Sequence, residues 1–453
     1  MLLWMQCCER LMLRDEIAER LLKMGQKELI ASIDLLNAEQ KQHLLVQLSR
    51  FPNDLLARQR EVLFCPQKKV SSVLPLEEAA RSGNEANKQV GEKLLSEGKI
   101  GCIILAGGQG SRLGHGDPKG TFSVTNIKKK SLFQLFLEKT IAASKLAGCK
   151  LSLAIMTSPV NHEETQEFLR RHDWFGLSSD ELQLFCQKML PLLDERGNWV
   201  LDPRGKILEG PDGNGNVFQL FCETGLFQKW KERGIQYAQV ILIDNSLADP
   251  FDRDLCGFHH KSGAEVTIKA IERADPLEPL GVITKIDKEK VRIVEYSELS
   301  DRERSTRTEE GKLLFPFANT SMFCFSLSFV QKLMQQSLYT LPWHMAKKTA
   351  HGSNVWKCET FIFDLLDYAG HIEVMVFPRE EVFAPLKTIS GREGISSVRE
   401  ALLHFDRRVF ERISGIETKD RCFELDPHFY YPTQELLLKW KGRPLPSEDY
   451  IEP

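Results

Sequence analysis

Residues 105–119 are Leu-Ala-Gly-Gly-Gln-Gly-Ser-Arg-Leu-Gly-His-Gly-Asp-Pro-Lys, and they continue an apolar run from Ile100 to Leu105. The apolar run predicts a buried parallel strand. Four glycines within residues 106–114 allow the chain to turn sharply and to approach a ligand closely. Backbone N–H groups in such a turn can point at phosphate oxygens, and Arg112 and Lys119 add two cations. The segment therefore predicts a nucleoside triphosphate site at the end of a sheet.

Two more common phosphate-binding loops do not fit this segment. A P-loop ends in Gly-Lys followed by Ser or Thr, whereas the order here is Lys119-Gly120-Thr121. In the dinucleotide fingerprint counted from Gly108, the last glycine would fall on Leu113. A glycine-rich turn that binds nothing remains the alternative, and the two cations favour the phosphate site.

Composition places the chain among ordinary globular proteins. It has 453 residues, enough for two or three domains, with 42% hydrophobic residues and a net charge of −3. This charge gives no general reason to expect nucleic acid or membrane binding, so an anion site has to be built locally. Eleven cysteines without a C-x-x-C motif favour a reducing cytoplasm. We expect a cytoplasmic protein that is a monomer or a weak homo-oligomer.

The pattern along the chain predicts three parts. Residues 1–95 form an N-terminal helical region, for which a bundle is favoured over a peptide-binding module. Residues 96–390 alternate strands with helices, which predicts an α/β, Rossmann-like central domain with a mixed, mostly parallel sheet. The predicted elements include strands at 282–286 and 372–377 and helices at 132–146 and 217–233. A hairpin insertion is expected at 281–298, and a mobile solvated loop at 300–311. Residues 391–453 form a small C-terminal domain.

Polar residues follow several predicted strands, where ligands bind in open α/β sheets. Gln187 offers a donor and an acceptor for a pyrimidine edge, or else it bonds its own backbone. Gly213 and Asn214 lie in a glycine-rich loop before a helix, which is either a second site or a plain turn. Asp244 follows a strand and can hold Mg²⁺ between phosphates, or else it caps a strand end. Solvated or capping roles are expected for His259, His260 and His351.

The glycine segment, together with Pro118-Lys119-Gly120, resembles the signature of the eukaryotic-type UTP:sugar-1-phosphate uridylyltransferases. The resemblance extends from the N-terminal helices to about Ser390. It implies a glycosyltransferase-A-like nucleotide-binding fold. The Gly213-Asn214-Gly215 form resembles the branch that uses N-acetylhexosamines, whereas the glucose branch has a His-Gly-Asp form. The chain departs from the family pattern at two places near the implied sugar pocket. Asn216 replaces a glycine, and Phe317-Ala318 replaces an Ala-Gly pair.

The resemblance also implies roles for individual residues. The implied catalytic residues are the phosphate-binding cations Arg112, Lys119 and Lys387. The implied nucleotide contacts are Leu105, Ala106, Gly107, Gly108, Gln187, Gly213 and Asn214. The implied sugar-phosphate contacts are Asn245, Glu295, Asn319, Lys357 and Glu359, and the metal ligand is Asp244.

The expected reaction joins UTP and N-acetylglucosamine 1-phosphate into UDP-N-acetylglucosamine and pyrophosphate, with Mg²⁺ as cofactor. The attacking sugar phosphate is already an anion, so the chemistry needs positioning and charge neutralisation rather than a general base. Two alternatives stay open. One is another sugar nucleotidyltransferase, such as one that makes UDP-glucose. The other is a catalytically silent homologue that binds a UDP-sugar.

Overall fold

The structure is a computed structural model that describes residues 2–65, 73–286, 290–296, 298–336 and 339–453, with side chains from residue 12 onwards. Contacts group the chain into two units. The first unit comprises Met1–Ser71, Lys188–Asn216 and Leu341–Ile362, and the second comprises Ser72–Gln187, Val217–Thr340 and Phe363–Pro453. The expected parts 1–95, 96–390 and 391–453 follow other boundaries, and this division stays a prediction. None of the helices in the described ranges is long and apolar enough to cross a membrane.

The helices are named in chain order. They are α1 (Leu2–Lys23), α2 (Ile30–Ile33), α3 (Ala38–Ser49), α4 (Leu55–Phe64), α5 (Glu85–Ser96), α6 (Leu132–Ala147), α7 (His162–Arg171), α8 (Val217–Glu223), α9 (Leu226–Glu232), α10 (Arg253–Ser262), α11 (Asp301–Ser305), α12 (Leu327–Met334), α13 (Arg379–Val382), α14 (Ile395–Ser414) and α15 (Gln434–Trp440).

The strands are named in the same way. They are β1 (Leu74–Pro75), β2 (Ala80–Arg81), β3 (Ile100–Leu105), β4 (Ser152–Thr157), β5 (Leu182–Cys186), β6 (Met189–Pro191), β7 (Glu209–Pro211), β8 (Tyr237–Leu242), β9 (Val266–Glu272), β10 (Val282–Ile286), β11 (Lys290–Val294), β12 (Phe317–Ser326), β13 (His344–Ala350), β14 (Ser353–Glu359), β15 (Ile372–Phe377), β16 (Glu424–Leu425) and β17 (Tyr450–Ile451).

A central sheet dominates the second unit, in the order β2-β15-β9-β12-β8-β3-β4-β5. Strands β8, β3, β4 and β5 run parallel, and so do β9, β15 and β2. Strand β12 lies between these groups and is antiparallel to both β8 and β9. Every residue of β3 and β4 is buried, as expected for parallel strands covered on both faces. The predicted α/β fold with a mixed, mostly parallel sheet is confirmed.

The expected hairpin insertion is present, because β10 and β11 pair antiparallel. Residues 287–289, which come between the two strands in sequence, and residue 297 lie outside the described residues.

The first unit gathers its own apolar core from segments far apart in sequence. Helices α1 to α4 pack with Leu193, Trp199 and Ile207. The indole Nε1 of Trp199 donates to Gln59 Oε1 at 2.8 Å, so this buried polar group is satisfied. Strands β6 and β7 pair antiparallel, and β13 and β14 form a hairpin that the sequence pattern did not predict.

Three sequence expectations are wrong. The expected solvated loop at 300–311 contains helix α11, because Ser300 and Glu303 form a reciprocal capping box. The single helix expected between Val217 and Arg233 is two helices, which Gly225 separates at a φ of 77°. His259 is neither solvated nor a cap, since its buried ring hydrogen-bonds Thr267 and Ser326.

Helices α5 and α10 cross at two glycines. A Cβ added at Gly91 would lie 1.9 Å from the Arg253 carbonyl oxygen, and one at Gly257 would lie 1.8 Å from that of Asn87. The backbones therefore approach too closely for any side chain at either position.

We expect Gly257→Ala to lower the free energy of unfolding by about 1–3 kcal/mol, because the new methyl group overpacks one backbone against another. Helix propensity alone would change it in the opposite direction, by about 1 kcal/mol. Urea denaturation measures the sign. Gly370→Ala is the control, since its added Cβ would come no closer than 3.5 Å to Glu265 Oε2. A stabilised Gly257→Ala variant would contradict this account of the crossing.

Candidate nucleotide site

Parallel pairing in the second unit brings four strand ends to one edge of the sheet. Leu105 at the end of β3 pairs with Met156 of β4 and Leu242 of β8, and β4 pairs with β5. The glycine segment, Gln187 and Asp244 each follow one of these strands. The expected clustering of polar residues at this edge is therefore present.

The glycine segment folds back on itself. The Gly110 N–H donates to Asp117 O at 3.3 Å, and the Lys119 N–H donates to Gly108 O at 3.4 Å. These bonds return Lys119 to the start of the loop. Within the loop, Arg112 lies exposed in a single turn of 3₁₀-helix. The two cations of the segment are thus on one closed loop.

Lys119 and Asp244 form an ion pair, with 3.2 Å between Nζ and Oδ2. Their side chains are only 17% and 15% exposed, so water screens this pair less than a surface pair. The second carboxylate oxygen, Asp244 Oδ1, is buried and has no hydrogen-bond partner among the described residues. An orphaned carboxylate oxygen of this kind fits a cation. No group of three or more His, Cys, Asp or Glu side chains in the described chain forms a metal-binding cluster.

Gln187 lies directly against the glycine loop. A Cβ at Gly107 would be 2.6 Å from Gln187 Oε1, so this contact requires a glycine. The residue is 8% exposed, and its carboxamide makes no side-chain hydrogen bond to another residue that the structure describes. Its donor and acceptor are both available to a bound base.

The side chain of Asn245, in contrast, already has hydrogen-bond partners in the protein. Its Nδ2 donates to Val382 O at 2.7 Å, and its Oδ1 accepts from the Ala384 N–H at 2.9 Å. The Leu386 N–H donates to Asp244 O at 2.8 Å. Together these bonds fix the segment before Lys387 beside Asp244. The predicted sugar-phosphate contact of Asn245 stays a prediction, and the geometry gives its buried carboxamide an anchoring role.

The remaining residues predicted in the second unit fall in two places. Lys387 Nζ lies 2.8 Å from Glu393 Oε1. Glu295 and Asn319 come together around Gly281, whose carbonyl accepts from the Asn319 N–H at 2.9 Å. A Cβ at Gly281 would lie 3.3 Å from Glu295 Oε1.

In the first unit, the loop at Gly213 closes on Thr360. Gly213 has a φ of 89°, and the Asn214 and Gly215 N–H groups both donate to Thr360 O at 3.0 Å. Asn214 Oδ1 accepts from the Ile362 N–H at 2.9 Å. The predicted residues Gly213 and Asn214 therefore adjoin the end of β14.

Strand β14 carries the other predicted pair of this unit, Lys357 and Glu359, whose charged atoms are 2.6 Å apart. Asp212, before the Gly213 loop, is buried, which raises the pKa of its carboxyl to about 6. Asn216, the departure from the family pattern, donates to Asp212 Oδ2 at 3.0 Å.

Sequence reasoning missed three residues near the predicted nucleotide contacts. Ser158 and Asn161 hydrogen-bond carbonyls of the glycine loop, and Lys139 of α6 donates to Ser246 O and Ala248 O just after Asp244. Burial lowers the pKa of Lys139 to about 8. Ser158 and Asn161 follow β4, so the rule that flagged Gln187 and Asp244 could have found them. Lys139 gave no signal, because helical lysines usually face solvent.

Comparison with known proteins identifies the family. The family model described as UTP--glucose-1-phosphate uridylyltransferase matches residues 59–428. UDP-N-acetylglucosamine diphosphorylase 2 of Arabidopsis thaliana is 31% identical over 407 residues, covering 83% of this chain and 80% of that protein. The UDP-N-acetylglucosamine pyrophosphorylase of Saccharomyces cerevisiae is 30% identical over 380 residues, covering 78% of each.

A solved structure supports the fold. The uridine diphosphate N-acetylglucosamine pyrophosphorylase of Trypanosoma brucei superposes with a TM-score of 0.81 at 24% identity, covering 97% of this chain and 98% of that one. Since the family model spans most of the sequence, the chain belongs to the UTP–glucose-1-phosphate uridylyltransferase family of nucleotidyltransferases.

Proposed function

We propose that this protein transfers the uridylyl group of UTP to N-acetylglucosamine 1-phosphate, forming UDP-N-acetylglucosamine and releasing pyrophosphate. The observation that carries the proposal is the Lys119–Asp244 pair beside a glycine loop against which the Gln187 carboxamide lies. Family membership and the names of the relatives point to the same reaction.

The chemistry needs charge neutralisation. An oxygen of the sugar phosphate attacks the α-phosphorus in line, its new P–O bond forms, and the bond to pyrophosphate breaks. Negative charge builds on oxygens around that phosphorus, so preorganised cations stabilise the transition state more than the substrate. Arg112, Lys119 and Lys387 are the proposed cations. The carboxylates that pair with Lys119 and Lys387 hold their side chains in place before substrate arrives.

The residues fit Mg²⁺ as the cofactor. Mg²⁺ in nucleotide sites is commonly held by one or two carboxylates together with substrate phosphates, so the absence of a dense cluster in the described chain is no obstacle. Asp244 would hold the ion through Oδ1, the orphaned oxygen. When bound, the ion supplies Lewis-acid neutralisation of phosphate charge.

Uracil is the proposed partner of Gln187, whose amide can pair with one carbonyl and one N–H of the base. The predicted contacts of the first unit, Gly213, Asn214, Lys357 and Glu359, have proposed roles that rest on the family resemblance. The sugar assignment has the same basis, since the Gly213-Asn214-Gly215 form and the names of the relatives favour the N-acetylhexosamine.

The proposal is tested by pyrophosphate release from UTP and Mg²⁺ with a panel of sugar 1-phosphates. We expect the largest kcat/KM with N-acetylglucosamine 1-phosphate. Release with glucose 1-phosphate alone would keep the reaction but overturn the sugar assignment. Binding of UTP without release for any sugar would overturn the enzymatic proposal in favour of a silent homologue.

Lys119→Ala should lower kcat/KM by about 100-fold or more, because it removes a preorganised cation from the developing charge. Steady-state kinetics measure the loss, and circular dichroism checks the fold. The matched control is Lys150→Ala, which breaks a lysine–carboxylate pair of 3.0 Å with Glu181 away from the glycine loop. Equal kinetics for the two variants would remove Lys119 from the mechanism.

Gln187→Ala should reduce the preference for UTP over CTP by about 10-fold to 100-fold, because one hydrogen-bonding amide discriminates the base. The ratio of kcat/KM values for the two nucleotides measures this. Gln183→Ala is the control, since Gln183 lies on the same strand but bonds the carbonyls of Ser179 and Asp180. An unchanged UTP preference in Gln187→Ala would show that other groups recognise uracil.

A further inference from the structure

Asn161 stands at the N-cap of helix α7 but does not cap it. Asparagine is favoured at this position because its side-chain oxygen accepts from the first free N–H groups of a helix. Asn37 and Asn84 do this at the starts of α3 and α5. The Asn161 side chain makes no cap hydrogen bond to α7. A favourable local interaction is given up here, and such local exceptions concentrate at functional sites.

The carboxamide of Asn161 hydrogen-bonds the glycine loop instead. Its Nδ2 donates to Ala106 O at 2.9 Å and to Gly108 O at 3.1 Å. Its Oδ1 accepts from the Ser158 N–H at 2.9 Å. The Ser158 hydroxyl donates to Gly107 O at 2.7 Å. Two side chains after β4 thus hold three consecutive loop carbonyls, and both residues are buried.

Because peptide groups are planar, these carbonyl contacts also fix the direction of the neighbouring N–H groups in the loop. In a trans peptide the C=O of one residue and the N–H of the next point in opposite directions, and the described chain has no cis peptide. Holding the carbonyls of Ala106 and Gly107 towards Asn161 and Ser158 therefore turns the N–H groups of Gly107 and Gly108 away. Neither N–H donates a hydrogen bond within the described ranges. Gly108 also has open space at its Cα, with no atom within 4 Å of an added Cβ.

We propose that Ser158 and Asn161 are positioning residues that fix the glycine loop with its Gly107 and Gly108 N–H groups presented to the nucleotide. The assignment rests on the proposed function, because it takes the loop to be the UTP-binding element. The two side chains do not touch the nucleotide. They act by removing the alternative in which the loop peptides flip and offer carbonyl oxygens to an anionic ligand.

The experiment uses Asn161→Ala and the milder Ser158→Ala in the full chain, with Asn84→Ala as the matched control. Asn84 is an N-cap asparagine whose side chain does cap its helix, through the Ala86 N–H at 2.9 Å. Hydrogen–deuterium exchange of a peptide covering 103–113, without nucleotide, measures the loop alone. Isothermal titration with UTP and the separate KM values for UTP and the sugar phosphate measure the consequence.

We expect both variants to speed exchange in 103–113 and to weaken UTP binding, about 10-fold or more for Asn161→Ala, while KM for the sugar phosphate changes less than twofold. The Asn84 control should lose stability without either effect. Unchanged loop exchange in Ser158→Ala and Asn161→Ala would overturn the proposal. So would faster exchange with unchanged UTP affinity, or a loss shared equally by both substrates. If wild-type protein binds UTP but releases no pyrophosphate, the proposed function fails, and altered exchange with weaker UTP binding still supports the positioning role.

Discussion

The hydrogen-bond ladder between β3 and its two parallel neighbours is the constraint on which the candidate site depends. Because β3 pairs in parallel with β4 on one side and β8 on the other, their carboxyl ends are aligned at one edge. Side chains that follow different strands, and that are far apart in sequence, are thereby brought to one loop. A single antiparallel neighbour would have sent its following residues to the opposite edge. Strand β12 is antiparallel in the same sheet, and it pairs on the far side of β8.

Charged side chains are buried near these aligned strand ends. The Lys119–Asp244 pair is largely withdrawn from water, so its mutual attraction is stronger than on the surface but its desolvation is also costly. Lys139 is buried behind the same segment and meets two backbone carbonyls rather than a carboxylate. Both arrangements carry a desolvation cost. This desolvation cost is explained if incoming phosphates complete the interactions, since a site organised in advance needs little rearrangement when charge develops.

The sequence predicted what short-range pattern controls. Strands β10 and β15 have the predicted bounds, and α6 begins at the predicted Leu132 because Ser131 caps it. Prediction from the sequence failed for elements whose packing partners are far away along the chain. Neither face of β13 is buried, so its residues carry no alternating pattern that would reveal the hairpin with β14. Likewise, no local signal indicates that 188–216 and 341–362 pack with helices from the first residues of the chain.

At the candidate nucleotide site, position after a strand identified candidate residues but could not assign a role to each of them. Gln187, Asp244, Asn245 and Asn161 all follow strands of the same sheet, so this position alone does not distinguish them. Hydrogen-bond satisfaction separates them. The carboxamides of Asn161 and Asn245 are used fully on loop backbone, so these residues shape the site. Asp244 Oδ1 is buried without a partner among the described residues, and the Gln187 carboxamide makes no side-chain hydrogen bond to any of them. We propose that a ligand completes both groups. Because a partner's identity depends on tertiary structure, this division could not have been drawn from the sequence.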